Sequence, residues 1–185
     1  SHSLAHTNPC ISPNYYSHHH HHHYKQTLVM EFLQGGELFD RIVGRGSFSE
    51  KDAAITVRSL ASALAAIHEN NIIHRDIKPE NVVYRSQDPD AAPVIVDFGF
   101  GVKAAPEASN KANCIFHDKT ARFALGTPGY IAPESYSHYV YLNKSDTWSL
   151  GIITYIILVG FPPFDNKDRL LKERTLRGKF YPLQT

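Results

Sequence analysis

The stretch His74-Arg75-Asp76-Ile77-Lys78-Pro79-Glu80-Asn81 decides the reading of this chain. Ile72-Ile73 stand before it and Val82-Val83-Tyr84 after it, β-branched and aromatic residues that predict a strand, a polar loop and a second strand. The loop therefore gathers a carboxylate (Asp76), an ammonium (Lys78) and an amide (Asn81) at one place. A third apolar strand, Val94-Ile95-Val96, follows a polar, proline-containing loop from Arg85 to Pro93 and runs straight into Asp97-Phe98-Gly99, which supplies a second carboxylate.

Transfer of a phosphoryl group from ATP to a hydroxyl calls on such a set. One carboxylate orients the attacking hydroxyl, a cation offsets charge on the moving group, and an amide and a second carboxylate hold magnesium. An isolated His-Arg-Asp would be weak evidence. Here it is followed in order by Lys78, Asn81, Asp97-Phe98-Gly99 and Ala132-Pro133-Glu134, and this succession resembles the eukaryotic-type serine/threonine protein kinases. The resemblance implies an α+β, protein-kinase-like fold: a mainly α-helical large lobe with a remnant of the small-lobe sheet over residues 10–32.

The resemblance also implies roles. Asp76 would orient or accept the substrate hydroxyl proton, and Lys78 would contact the γ-phosphate; its place two residues after Asp76 resembles serine/threonine kinases rather than tyrosine kinases. Asn81 and Asp97 would hold Mg2+. Gly126 to Glu134 (GTPGYIAPE) resembles the substrate-docking segment, with Thr127 touching the catalytic Asp and Lys. Val29 to Ile42 (VMEFLQGGELFDRI) resembles the hinge, with Met30 as gatekeeper, backbone groups of Glu31 and Leu33 pairing with adenine, Glu37 near the ribose and Val83 as the pocket floor. His74 and Phe98 match packing positions. Asp146, in Ser145 to Ile153 (SDTWSLGII), matches a carboxylate that braces the catalytic loop and would also serve as a helix cap.

Around these motifs the chain is regularly patterned. Thr27 to Phe32 reads as a strand broken by Gly35-Gly36, and Glu37 to Val43 as a short helix. Ser49 with Asp52 has the form of a helix start, and Val57, Leu60, Leu64 and Ile67 recur at helical spacing up to Asn70-Asn71. Residues 97–131 read as loop-rich. Ser145 to Val159 is apolar nearly all round, the pattern of a helix inside a core. Two units are expected: residues 1–27, a small-lobe remnant with the run His18 to His23, and residues 28–185, hinge and large lobe, incomplete at both ends. The histidine run reads as a tolerated loop expansion or a cloning remnant rather than a physiological metal site.

Bulk properties narrow the class of partner. A net charge of +1 gives no general attraction to nucleic acid or anionic membrane. The longest apolar run, Leu150 to Val159, is too short to cross a bilayer. Two distant cysteines, Cys10 and Cys114, support neither a disulfide framework nor a four-ligand zinc site, in keeping with a cytoplasmic setting.

The wording GGELFDRI, KPEN and GTPGYIAPE resembles the calcium/calmodulin-dependent kinase group. It implies ATP and Mg2+ as cofactors and a Ser/Thr protein substrate, with basic residues upstream of the target read by Glu37 and Glu80. Calcium or calmodulin dependence is left undecided. The pattern also departs from the family: no Gly-rich phosphate loop, no partner Lys and no helix Glu occur. Losing one preorganised donor commonly costs roughly 10²–10³ in rate, so inefficient phosphorylation is expected of this chain. A kinase-like scaffold is the alternative reading, and a small-molecule kinase is disfavoured by the substrate-segment match. Phe123 stands where many kinases carry a phosphorylated residue, which leaves Thr120 as a candidate phosphate acceptor near Arg75.

Overall fold

The computed structural model describes residues 28–106, 114–164 and 169–182. The histidine run, Cys10 and most of the expected sheet remnant lie outside them. Two long helices form the centre. Helix α2, Glu50–Glu69, starts where Ser49 accepts a hydrogen bond from the Asp52 amide and ends at Asn70. Helix α4, Asn143–Val159, ends at Gly160. Leu60, Ala63, Leu64 and Ile67 from α2 join Leu150, Ile153, Ile156 and Ile157 from α4 in the main core, and burying each large aliphatic side chain contributes roughly 1.5–3 kcal/mol. Helix α1, Leu38–Arg45, buries only Leu38 and Ile42, one stripe of a short amphipathic helix.

The strands are short. β1 (Ile72–Ile73) pairs antiparallel with β4 (Val102–Lys103), and β2 (Val82–Tyr84) with β3 (Pro93–Ile95). β5 (Ala105–Pro106), β6 (Cys114–His117) and β7 (Val140–Leu142) make a three-stranded sheet. Ile73, Ala104, Cys114 and Tyr141 form a second, smaller core there. Helices α3, Pro133–His138, and α5, Leu171–Leu176, complete the fold.

Two expectations need correction. Residues 28–32 carry no strand, and Thr27 is outside the described residues. A strand exists only by pairing, and here the first backbone anchors come later: Gln34 N donates to Arg85 O at 3.1 Å and Gly35 N to Tyr84 O at 2.9 Å. Gly35 is required at that contact, because an added Cβ would lie 2.1 Å from Ser86 O and 2.5 Å from Tyr84 Cβ. The span 97–131 is loop-rich among its described residues, as expected, and also holds β4, β5 and β6, whose two to four residues are too few to show alternation. Asp146 does not cap α4. It sits inside the first turn, while the Leu142 amide is satisfied by Ser145 Oγ at 3.0 Å.

Candidate active site

The catalytic-loop candidate leaves β1, crosses the end of α4 and returns through a short 3₁₀ turn, Pro79–Asn81, into β2. Its backbone is fixed from below by Asp146, which is 1% exposed. One carboxylate oxygen of Asp146 accepts from His74 N at 2.9 Å and from His68 Nε2 at 2.8 Å; the other accepts from Arg75 N at 2.9 Å. These bonds hold Arg75 at φ 69°, in the left-handed region that non-glycine residues enter only when their surroundings compel it. The next residue is Asp76.

Asp76 is 4% exposed, and both its oxygens are engaged. Oδ1 accepts from Thr127 Oγ1 at 2.6 Å and from Thr127 N at 2.9 Å. Oδ2 lies 3.0 Å from Lys78 Nζ and accepts from Asn81 Nδ2 at 3.2 Å. Lys78 Nζ also donates to Thr127 Oγ1 at 2.9 Å, so Asp76, Lys78 and Thr127 close a triangle. Burial pushes the Asp76 carboxyl up, but the hydrogen bonds from Thr127 and Lys78 and the lysine charge outweigh it and hold the group below its ordinary value. It is a carboxylate at neutral pH, fixed in orientation before any substrate arrives.

Gly126 makes the approach of Thr127 possible. It sits at φ 114°, and a Cβ there would meet Arg75 O at 2.7 Å. Thr127 and the catalytic loop are distant in sequence, and only this close backbone contact lets the hydroxyl reach Asp76.

His74 ties the loop to the third strand. Nε2 donates to Val96 O at 3.1 Å while Nδ1 accepts from Asp76 N at 3.3 Å, a pair of bonds that only the neutral ring with its proton on Nε2 can make. Burial lowers the His74 pKa against the opposing pull of Asp146, Asp76 and Asp97. Its ring packs on Phe98 with centroids 4.8 Å apart. Asp97 is exposed, stands at φ 62° and ψ 76°, and accepts from Gly99 N at 3.0 Å.

Asn81 is the natural companion of Asp97. It commits its amide hydrogens to Asp76, reaching the backbone oxygen at 2.8 Å as well as the carboxylate. Its carbonyl oxygen is thereby left as the coordinating end. An amide oxygen and a carboxylate suit a hard cation such as Mg2+. Among the described residues no group of three His, Cys, Asp or Glu side chains could hold a metal by itself, so the remaining ligands would be water or phosphate oxygens.

The expected nucleotide side is less assembled. Glu37 forms an isolated bridge with Val83, which joins the ribose and floor candidates through the backbone. Leu33 is half-buried, whereas Met30 is 62% exposed and the Glu31 carboxylate is taken up by Arg85. Two site features were not anticipated. His68, at the end of α2, is a second support for Asp146. Asp118 forms a long ion pair with the Arg75 guanidinium, at 4.0 Å from Nη1, and it also accepts the Thr120 hydroxyl at 3.0 Å. Arg75 Nε donates to Phe100 O at 2.6 Å, so this arginine links the catalytic loop to the turn after Asp97. Neither His68 nor Asp118 belongs to a motif, so only the tertiary structure reveals them.

The site thus brings together a buried carboxylate with a lysine and a threonine locked onto it, and an amide and a carboxylate of the kind that suit magnesium. The comparisons with known proteins agree with the geometry. The protein kinase domain family matches residues 3–181. The chain is 43% identical over 157 residues to calcium/calmodulin-dependent protein kinase type IV of Homo sapiens, covering 84% of this chain and 31% of that protein. It is 42% identical over 154 residues to calcium/calmodulin-dependent protein kinase type 1 of Caenorhabditis elegans, covering 83% of this chain and 41% of that one. The chain belongs to the protein kinase family, in the serine/threonine group of the calcium/calmodulin-dependent kinases. It spans less than half the length of these curated relatives. Among the described residues no helix is long and apolar enough to cross a membrane.

Proposed function

We propose that this chain carries the phosphotransfer centre of an ATP-dependent serine/threonine protein kinase. The observation that carries the reading is the closed triangle of Asp76, Lys78 and Thr127. Asp76 orients the substrate hydroxyl and takes its proton. Lys78, already within 3.0 Å of that carboxylate, presents its ammonium to the incoming γ-phosphate. Thr127 positions both. Asn81 and Asp97 hold magnesium, which when bound neutralises charge on the phosphate oxygens. Backbone groups of Glu31 and Leu33 take the adenine under Met30, with Val83 as floor and Glu37 at the ribose. Glu37 and the exposed Glu80 favour substrates with basic residues upstream of the target hydroxyl.

The test is Mg2+-dependent ATP binding and phosphorylation of a Ser-containing peptide with upstream arginine, run beside Asp97→Ala. The expected result is slow transfer that the substitution reduces by roughly 10² or more. Equal behaviour of the two proteins would overturn the reading and favour a kinase-like scaffold.

A further inference from the structure

A groove with no place in phosphotransfer lies between α1, the start of α2 and the β2–β3 loop, with a volume of about 350 Å³. It opens on the Tyr84 side of β2. Successive strand residues point to opposite faces, so this is the side away from Val83. Its α1 wall is basic. Arg41 stacks on Tyr84 with Cζ 3.5 Å from the ring centroid and donates to Ser86 O at 3.2 Å; Arg45 lies over Phe48 at 5.4 Å. Among the described residues neither guanidinium has a carboxylate within salt-bridge distance. Aromatic stacking holds them in place and leaves planar donor edges for an acidic group, the setting in which arginine recognises carboxylates.

The other walls define the occupant further. Ile55 is 56% exposed and, with Ala91 and Ala92 across the groove, offers an apolar surface. Asp52 and Asp90 also line the groove, so an occupant can place negative charge only at the Arg41 and Arg45 end, which disfavours a polyanion such as nucleic acid. We propose that this groove docks an extended peptide segment of a partner protein, with an acidic residue on Arg41 and Arg45 and neighbouring apolar side chains over Ile55 and Ala91. A cavity of this size, part apolar with a few fixed polar groups, is of the kind that takes such side chains. The proposal does not depend on phosphotransfer.

Fluorescence anisotropy of a fluorescein-labelled Gly/Ser peptide carrying two aspartates followed by two leucines tests it, beside the same peptide with lysines for the aspartates. The substitutions are Arg45→Glu and Ile55→Ser, both at exposed positions, so the fold is kept. Arg41 is left intact because it packs on Tyr84. The acidic peptide is expected to bind at least tenfold more tightly than the lysine peptide, and each substitution to weaken it by about tenfold. Mg2+-ATP and Asp97→Ala are expected to leave the binding unchanged. Equal or tighter binding of the lysine peptide, acidic binding indifferent to both substitutions, or displacement by Mg2+-ATP would each overturn the proposal.

Discussion

The catalytic loop, 74–81, and the hinge segment, 28–34, serve the same proposed reaction and are built in opposite ways. The loop is held by buried charge: Asp146 carries its backbone, Thr127 and Lys78 lock Asp76, and His74 ties it to Val96. In the hinge, Phe32 is 82% exposed and Met30 62%, and no backbone amide before Gln34 donates a hydrogen bond within the described residues. Hydrogen bonds inside a low-dielectric core are individually costly to break, whereas exposed contacts cost little. The proposed acid–base end of the site is thus preorganised by this chain's own side chains, and the proposed adenine end is anchored only from Gln34 onward.

Substitutions ought to split along that line. The largest effect is expected from Asp146→Ala, which leaves the His74 and Arg75 amides and His68 without their acceptor: a loss of roughly 3–5 kcal/mol, read from urea unfolding. Thr127→Val removes a charge-assisted hydrogen bond to Asp76 and should cost roughly 1.5–3 kcal/mol in the same measurement. Gly35→Ala meets Ser86 O and should cost about 1–3 kcal/mol, whereas Gly44→Ala, in α1 with nothing within 4 Å, should be neutral or stabilising by up to about 1 kcal/mol. At the exposed hinge, Glu31→Ala breaks the pair with Arg85 and should shift stability by no more than about 1 kcal/mol. A Glu31 effect as large as that of Asp146 would erase the contrast.

The loop should also carry the acid sensitivity. His74 is held neutral in the fold, so the unfolded chain takes up a proton near pH 6.5 that the folded chain refuses. Stability is complete above that pH and falls as pH drops below it. The depressed Asp76 carboxyl adds a second loss at lower pH, below the ordinary aspartate range, as the fold is forced to protonate it. Urea midpoints from pH 7 down to 5 should decline, and His74→Asn should flatten that first decline.

What the sequence disclosed follows the same division. Asp76, Lys78 and Asn81 could be placed on one loop because β-branched residues flank it on both sides, and α2 and α4 were legible because long helices hold many apolar residues. Ser49 and Asp52 marked the start of α2 by a local hydrogen bond. The strand expected at 27–32 depended on a partner that local pattern does not supply. β6 and β7 went unread because each holds only a few residues, and their pairing, Phe116 with Tyr141, is a long-range event. Asp146 was legible as a brace but not in its distance from the cap, since Ser145 one residue earlier does the capping. His68 and Asp118 act through space alone.

Native-state hydrogen exchange tests the contrast most directly. The amides of His74, Arg75 and Thr127, bonded to Asp146 and Asp76, are expected to exchange only with global unfolding, about a thousandfold or more slower than those of Val29 to Leu33. Catalytic-loop amides exchanging as fast as the hinge amides would contradict a preorganised phosphotransfer centre in this chain.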